Sequence, residues 1–249
     1  MTWSRHMDRY KEIIPRQWEE MKVLDELGAG SYGKVYMVED PWGQTYAVKV
    51  VHIPNQEGEL QTVKKEYGDD DSVRRYFSQI VDDFGHEIDA LRYLNEEEHV
   101  VRLESYQIES NPDQFRWKIY LKMELLQDLS SYTEEHEMDE QEVIHLAMDI
   151  CQALMSCEEK NIVHRDIKPD NILVDKEGNY KLGDFGIARY AEKTWNTLSR
   201  RGTFYYMAPE VYHGQKYGAE ADIYSLGMVL YRLLNKGRDP FVDTEKKMA

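Results

Sequence analysis

Over the first 125 positions, apolar and polar residues alternate in short runs rich in β-branched and aromatic side chains, as in strands with one buried face. Met21 to Leu27, Lys34 to Val38, Thr45 to Val51, Val100 to Ile108 and Trp117 to Leu125 are five such runs, each bounded by turn residues. They predict a five-stranded antiparallel sheet. Between the third and fourth runs, Ile80, Phe84, Ile88, Leu91 and Leu94 recur at helical spacing and predict one helix over about 73–94, packed on that sheet. Beyond residue 125 the period changes. Val143, Ile144, Ala147, Ile150, Cys151 and Leu154 form one helical stripe, and Ile223, Leu226, Val229, Leu230 and Leu233 form another. Between these two core helices lie a strand-like pair, Ile172 to Val174 and Tyr180 to Leu182, and several densely polar loops. Polar loops held on rigid elements are where chemistry is commonly placed.

Composition narrows the partners. The 249 residues carry a formal net charge of -16 and are 41% hydrophobic and 31% charged, values that predict a folded chain. An acidic surface of that size repels phosphate backbones and anionic headgroups, so nucleic acid is not an expected partner. Runs such as Asp69-Asp70-Asp71 and Glu96-Glu97-Glu98 read as solvated faces. The two cysteines, Cys151 and Cys157, are six apart on one predicted helix and point to different faces, which excludes a disulfide between them. With no apolar stretch near the ~18 residues a membrane span needs, and no signal-peptide pattern at the start, a soluble, cytoplasmic chain is expected.

Gly28-Ala29-Gly30-Ser31-Tyr32-Gly33 is followed by strand-like residues rather than a helix. That order fits either a plain hairpin or a flap whose backbone N–H groups approach phosphates, and not a dinucleotide-binding turn. Lys49 lies inside an apolar strand, where a buried cation needs an anion. Glu66 and Glu87 compete for it, and Glu87 is preferred because it lies beside the apolar stripe of the predicted helix. His164-Arg165-Asp166-Ile167-Lys168-Pro169-Asp170-Asn171 then places two aspartates, an asparagine and a lysine in one loop, with Asp184-Phe185-Gly186 close behind. Carboxylate and amide oxygens suit Mg²⁺ while lysine meets phosphate, so an anionic, metal-dependent substrate is indicated. His164 itself reads as a packed core histidine.

In this order, ending at Ala208-Pro209-Glu210, the motifs resemble those of the protein kinase family from about Leu27 to Gly237. The resemblance implies an α+β, two-lobed fold: a five-stranded antiparallel N-lobe sheet plus one helix, and a mainly helical C-lobe lacking its last helices. It divides the chain into an N-terminal extension (1–20), an N-lobe (21–125, with an insertion at 52–83) and a C-lobe (126–249).

The function it implies is ATP-dependent phosphorylation of serine and threonine hydroxyls on protein substrates. Gly28, Gly30 and Gly33 would cover the phosphates, and Lys49, paired with Glu87, would hold two of them. Asp166 would orient or deprotonate the substrate hydroxyl, Lys168 would neutralise the transferring group, and Thr203 would bond both. Asn171 and Asp184 would hold Mg²⁺, with Mn²⁺ as an alternative. Leu27, Val35, Ala47, Met123 and Leu173 would line the adenine slot, with backbone bonds from Glu124 to Leu126. Arg165 would pair with an activation-segment residue once phosphorylated, for which Thr197 and Ser199 are the candidates. Asp222 would brace the His164–Arg165 backbone. A nucleotide-binding pseudokinase scaffold, inactive because of a short C-lobe, is the alternative.

Two departures stand out. Residues 50–86 separate Lys49 from Glu87, about 37 positions and roughly twice the family's usual gap, so an insertion extends or precedes the helix; its acidic, Tyr- and Phe-bearing composition fits a docking or autoinhibitory element or, the preferred reading, a solvated loop. The chain also ends at Ala249, before the further helices that the family has, and the apolar face of its last predicted helix is expected to be exposed.

Overall fold

A computed structural model of the chain describes residues 13–30, 33–185 and 205–240, Glu87 without its side chain. Two compact units emerge: Met1–Arg92 with Arg102–Leu125, and Tyr93–Val101 with Leu126–Ala249.

The first unit is built on β1 (Lys22–Gly30), β2 (Gly33–Glu39), β3 (Thr45–Ile53), β4 (Leu103–Asn111) and β5 (Arg116–Glu124), in the order β1-β2-β3-β5-β4, every pair antiparallel. Directly paired residues share a face. Val35, Lys49 and Leu121 therefore line up across three strands, with Met37, Ala47 and Met123 beside them on the same face. The opposite face carries a buried cluster of Tyr36, Val38, Val48, Val50 and Tyr120, against which Ile13, Trp18, Met21, Val23 and Tyr46 pack. Trp18 meets Tyr120 edge-on at 6.4 Å between centroids, and the Lys122 ammonium lies over the Trp18 and Tyr46 rings. Residues just ahead of β1 thus cover the outer face of the sheet.

Two helices, not one, accompany this sheet: α1 (Glu57–Tyr67) and α2 (Asp70–Tyr93). Gly68, at φ 76°, ends α1 and lets the chain turn into α2. The insertion is therefore not a solvated loop. Its charges lie outside while Leu60, Val63, Val73 and Phe77 are buried. Phe77 packs on Trp117 at 6.3 Å, the Lys64 ammonium sits 4.7 Å from the Phe115 ring, and Arg116 Nη2 donates to Glu57 Oε2 at 2.7 Å. The insertion thereby grips the end of the β4–β5 hairpin. Strand β4 starts at Leu103 rather than Val100, because Val100 bridges to Leu182 and the Val101 N–H donates to the Leu182 carbonyl in the second unit.

In the second unit, α3 (Leu129–Glu135) begins where Asp128 accepts the Ser131 N–H, and α4 (Glu140–Glu159) begins with a reciprocal capping box between Asp139 and Glu142. A small sheet of β6 (Gln127–Asp128), β7 (Ile172–Val174) and β8 (Tyr180–Leu182) is followed by α5 (Pro209–Tyr212) and α6 (Glu220–Leu234). Leu146, Ile150 and Ala153 of α4 and Leu226 and Val229 of α6 belong to its core. Ile223 and Leu234 of α6 are exposed, at 53% and 55%. No described helix is long and apolar enough to cross a membrane. Cys151 is exposed and Cys157 buried, both as free thiols.

Candidate active site

The loop between α4 and β7 is held from below by one carboxylate. Asp222, 2% exposed near the start of α6, accepts the His164 N–H on Oδ2 and the Arg165 N–H on Oδ1, each at 2.7 Å. With both oxygens bonded, its burial is compensated. His164 is fully buried and uses both ring nitrogens: Nε2 donates to the Gly183 carbonyl at 2.8 Å, and Nδ1 accepts the Asp166 N–H at 3.3 Å. Its ring stands edge-on to Phe185 at 4.8 Å. A histidine so committed is a structural post, not a base.

Arg165 takes φ 72°, a left-handed conformation costly for a residue with a Cβ, and the two Asp222 bonds hold it there. Its buried Nε has no hydrogen-bond partner among the described residues, and the guanidinium lies 5.5 Å from the Tyr217 ring.

Above this post the polar side chains converge. Asp166 Oδ2 accepts from Lys168 Nζ at 2.8 Å and from Asn171 Nδ2 at 2.9 Å, and Nδ2 also donates to the Asp166 carbonyl at 2.7 Å. Asp166 Oδ1 takes part in neither contact. Burial pushes the Lys168 pKa down, but Asp166, then Asp170 and Asp184, more than offset it, and the net direction is upward. The ammonium is thus fixed as a cation among three carboxylates. Asn171 is 4% exposed with its amide nitrogen spent on Asp166, so its oxygen turns the other way. Asp184, partly buried at φ 58°, follows Gly183, whose N–H donates to the Asn171 carbonyl at 2.9 Å. A Cβ on Gly183 would lie 2.9 Å from Leu173 Cδ1, so a larger residue here would have to displace the Leu173 side chain. An amide oxygen and a carboxylate, hard donors on neighbouring backbone, fit Mg²⁺.

On the first unit, Lys49 is 8% exposed, with Val35 and Leu121 as its cross-strand neighbours. Val35, Ala47 and Met123 share its face. Leu27, on β1, is 48% exposed. The Glu124 N–H donates to the Arg102 carbonyl and Glu124 Oε1 accepts the Arg102 N–H, so the Glu124 amide is used within the first unit. Leu126 and Leu173 belong to the second unit. Gly28, Gly30 and Gly33 lie at the β1–β2 turn, paired Gly28 with Val35 and Gly30 with Gly33. A Cβ on Gly33 would fall 2.1 Å from the Val50 carbonyl oxygen, whereas one on Gly28 would meet nothing within 4 Å. The third glycine thus has a packing reason of its own. The Glu87 side chain, and Thr197, Ser199 and Thr203, lie outside the described residues.

Asp149 and His99 are among the buried polar residues that no motif marked. Asp149, 5% exposed, lies on the apolar stripe of α4, and His99, 9% exposed, lies near the end of the second unit's first segment. An aspartate between Leu146 and Ile150 breaks the helical hydrophobic pattern, and that break is the signal that could have found it.

The family described as "Protein kinase domain" matches residues 21–249. A SNF1-related protein kinase catalytic subunit alpha, KIN12, of Arabidopsis thaliana is 32% identical over 226 residues, covering 89% of this chain and 40% of that protein. NUAK family SNF1-like kinase 2 of Rattus norvegicus is 31% identical over 248 residues, covering 98% of this chain and 34% of its own length. A probable serine/threonine-protein kinase of Dictyostelium discoideum is 28% identical over 244 residues, covering 89% of this chain and 27% of its own. The chain therefore spans well under half the length of these curated relatives.

Proposed function

The chain belongs to the protein kinase family, and from that premise we propose that it transfers the γ-phosphoryl group of ATP to serine and threonine hydroxyls of protein substrates. The observation that supports this best is the loop in which one aspartate is bonded by both a partly buried lysine and a buried asparagine. Phosphoryl transfer passes through a loose transition state, so positioning and electrostatics carry most of the catalytic gain. Asp166, held by Lys168 and Asn171 through Oδ2, presents Oδ1 to the attacking hydroxyl, orients it and accepts its proton. Lys168, kept cationic by its carboxylate neighbours, offsets charge building on the transferring group. Asn171 and Asp184 are the residues that would hold Mg²⁺, which when bound would neutralise phosphate charge. Lys49, partnered by Glu87, takes the phosphates on the first unit. Val35, Ala47 and Met123 face adenine.

The serine and threonine preference rests on Lys168 and on Gly202-Thr203-Phe204-Tyr205-Tyr206. Regulation by phosphorylation of Thr197 or Ser199 is part of the proposal, with Arg165, whose Nε has no hydrogen-bond partner among the described residues, as the group that a phosphate satisfies. Phosphoamino-acid analysis of a basic protein labelled from γ-labelled ATP tests the specificity. Label in phosphoserine and phosphothreonine is expected; label confined to phosphotyrosine contradicts it, and nucleotide binding without any label favours an inactive scaffold.

A further inference from the structure

A buried carboxylate on α4 has no part in the chemistry proposed above, yet its contacts with Tyr180 and His99 lead toward Asp184. Asp149 Oδ2 accepts the Tyr180 N–H at 2.9 Å and lies 3.3 Å from His145 Nε2, while Oδ1 lies 3.7 Å from His99 Nδ1. His99 Nδ1 is 3.1 Å from the Tyr180 carbonyl oxygen. The His99 carbonyl accepts the Leu182 N–H at 2.8 Å, and the Leu182 carbonyl accepts the Val101 N–H at 2.9 Å. Gly183 is then held by Asn171 through its N–H and by His164 through its carbonyl. Residues 180, 182 and 183 are thus pinned in succession, and the next residue is Asp184 at φ 58°.

Two considerations give this ladder a purpose. A carboxylate in a helix core costs desolvation that an apolar side chain at the same place would avoid, so its presence there calls for a reason. A left-handed aspartate persists only where the surrounding backbone over-determines it. We propose that Asp149, with His99, is a positioning residue that fixes β8 and so sets the backbone of Asp184 for metal binding. The inference rests on the kinase reading above, and it concerns a residue that touches neither nucleotide nor metal. Outer partners that orient a metal ligand commonly change metal affinity by about 10–100-fold when removed.

The test compares Asp149→Ala with Asp149→Asn, which keeps an oxygen for the Tyr180 N–H. In the nucleotide-free protein, amide hydrogen exchange at residues 180–183 is expected to quicken about tenfold in Asp149→Ala, with the α6 amides unchanged. With a fluorescent ATP analogue, the Mg²⁺ concentration for half-maximal binding rises about tenfold in Asp149→Ala and returns to within about threefold of wild type in Asp149→Asn. Wild-type exchange at 180–183 in folded Asp149→Ala, or an unchanged Mg²⁺ requirement, overturns the proposal. Should Asp149→Ala not fold, His99→Ala removes the second arm of the ladder and must show the same two changes, and its failure to do so overturns the proposal equally. Failure of the kinase reading looks different: the wild-type protein itself then shows no metal-dependent nucleotide binding, while the exchange experiment, needing no ligand, still reports on the ladder.

Discussion

At the scale of single residues, the account turns on groups whose surroundings leave them one arrangement. Asp222 accepts two backbone N–H bonds at 2.7 Å inside the protein, and Asp222→Ala strands both donors. The variant is expected to lower the unfolding free energy by about 3 kcal/mol in urea titration; a loss under about 1 kcal/mol would show that water replaces the carboxylate. Glycine makes a sharper pair. Gly33→Ala pushes a Cβ to within 2.1 Å of the Val50 carbonyl oxygen and is expected to destabilise by about 2 kcal/mol, while Gly28→Ala, into open space, leaves the urea midpoint within error. In sequence the two glycines look alike, both belonging to a pattern that reads as a phosphate flap. The packing reason for Gly33 depends on its contact with β3 and could not be seen along the chain. Lys168 gives a pH prediction. Its folded pKa is raised, so the stability it adds is fully present below the unfolded lysine value of about 10.4 and is lost as pH rises through the folded value. The difference in unfolding free energy between wild type and Lys168→Met is therefore expected to stay constant from about pH 6 to 9 and to shrink only at higher pH. A difference that shrinks below pH 9 contradicts the carboxylate surroundings described for it.

Elements were legible where one rule governed them. The five strands and the helix on Ile80, Phe84, Ile88, Leu91 and Leu94 follow a period of two and of 3.6, and the structure has them within a few residues. Strand β4 is the informative miss: Val100 and Val101 have strand-like side chains, but Val100 bridges to Leu182 and the Val101 N–H donates to its carbonyl, a pairing that no local pattern encodes. The insertion is another. Its mean polarity suggests solvent, yet two apolar residues per few turns are enough to seat α1 on the hairpin end. Leu60→Ala is expected to cost about 3 kcal/mol by calorimetry or urea titration, a loss no solvated loop would show. On α4, burial pushes the Cys157 thiol up to about 12 while Cys151 is exposed. One thiol per native chain is expected to react with an aromatic disulfide reagent at pH 8, and two after unfolding; rapid reaction of both in the native protein would show that α4 does not bury Cys157.

For the whole molecule, the candidate residues fall into two sets with separate supports. Val35, Ala47, Lys49 and Met123 share one face of the first unit's sheet, and Asp166, Lys168, Asn171 and Asp184 are tied together in the second unit. Much of the second set could be read from the sequence because its motifs are contiguous. The supports under it could not, since Asp222 lies 57 residues from Arg165 and Asp149 lies 31 from Tyr180. Of the first set, Lys49 was marked by its own cost, a cation inside an apolar strand. The central claim is that Asp166 serves phosphoryl transfer from ATP. It is tested most directly by measuring label transfer from γ-labelled ATP with Mg²⁺ to a basic protein substrate, for the wild-type chain and for Asp166→Asn with an unchanged urea midpoint. Transfer by the wild type and a fall of about 10²–10⁴-fold in the variant are predicted; equal transfer by both, or none by the wild type, contradicts the account.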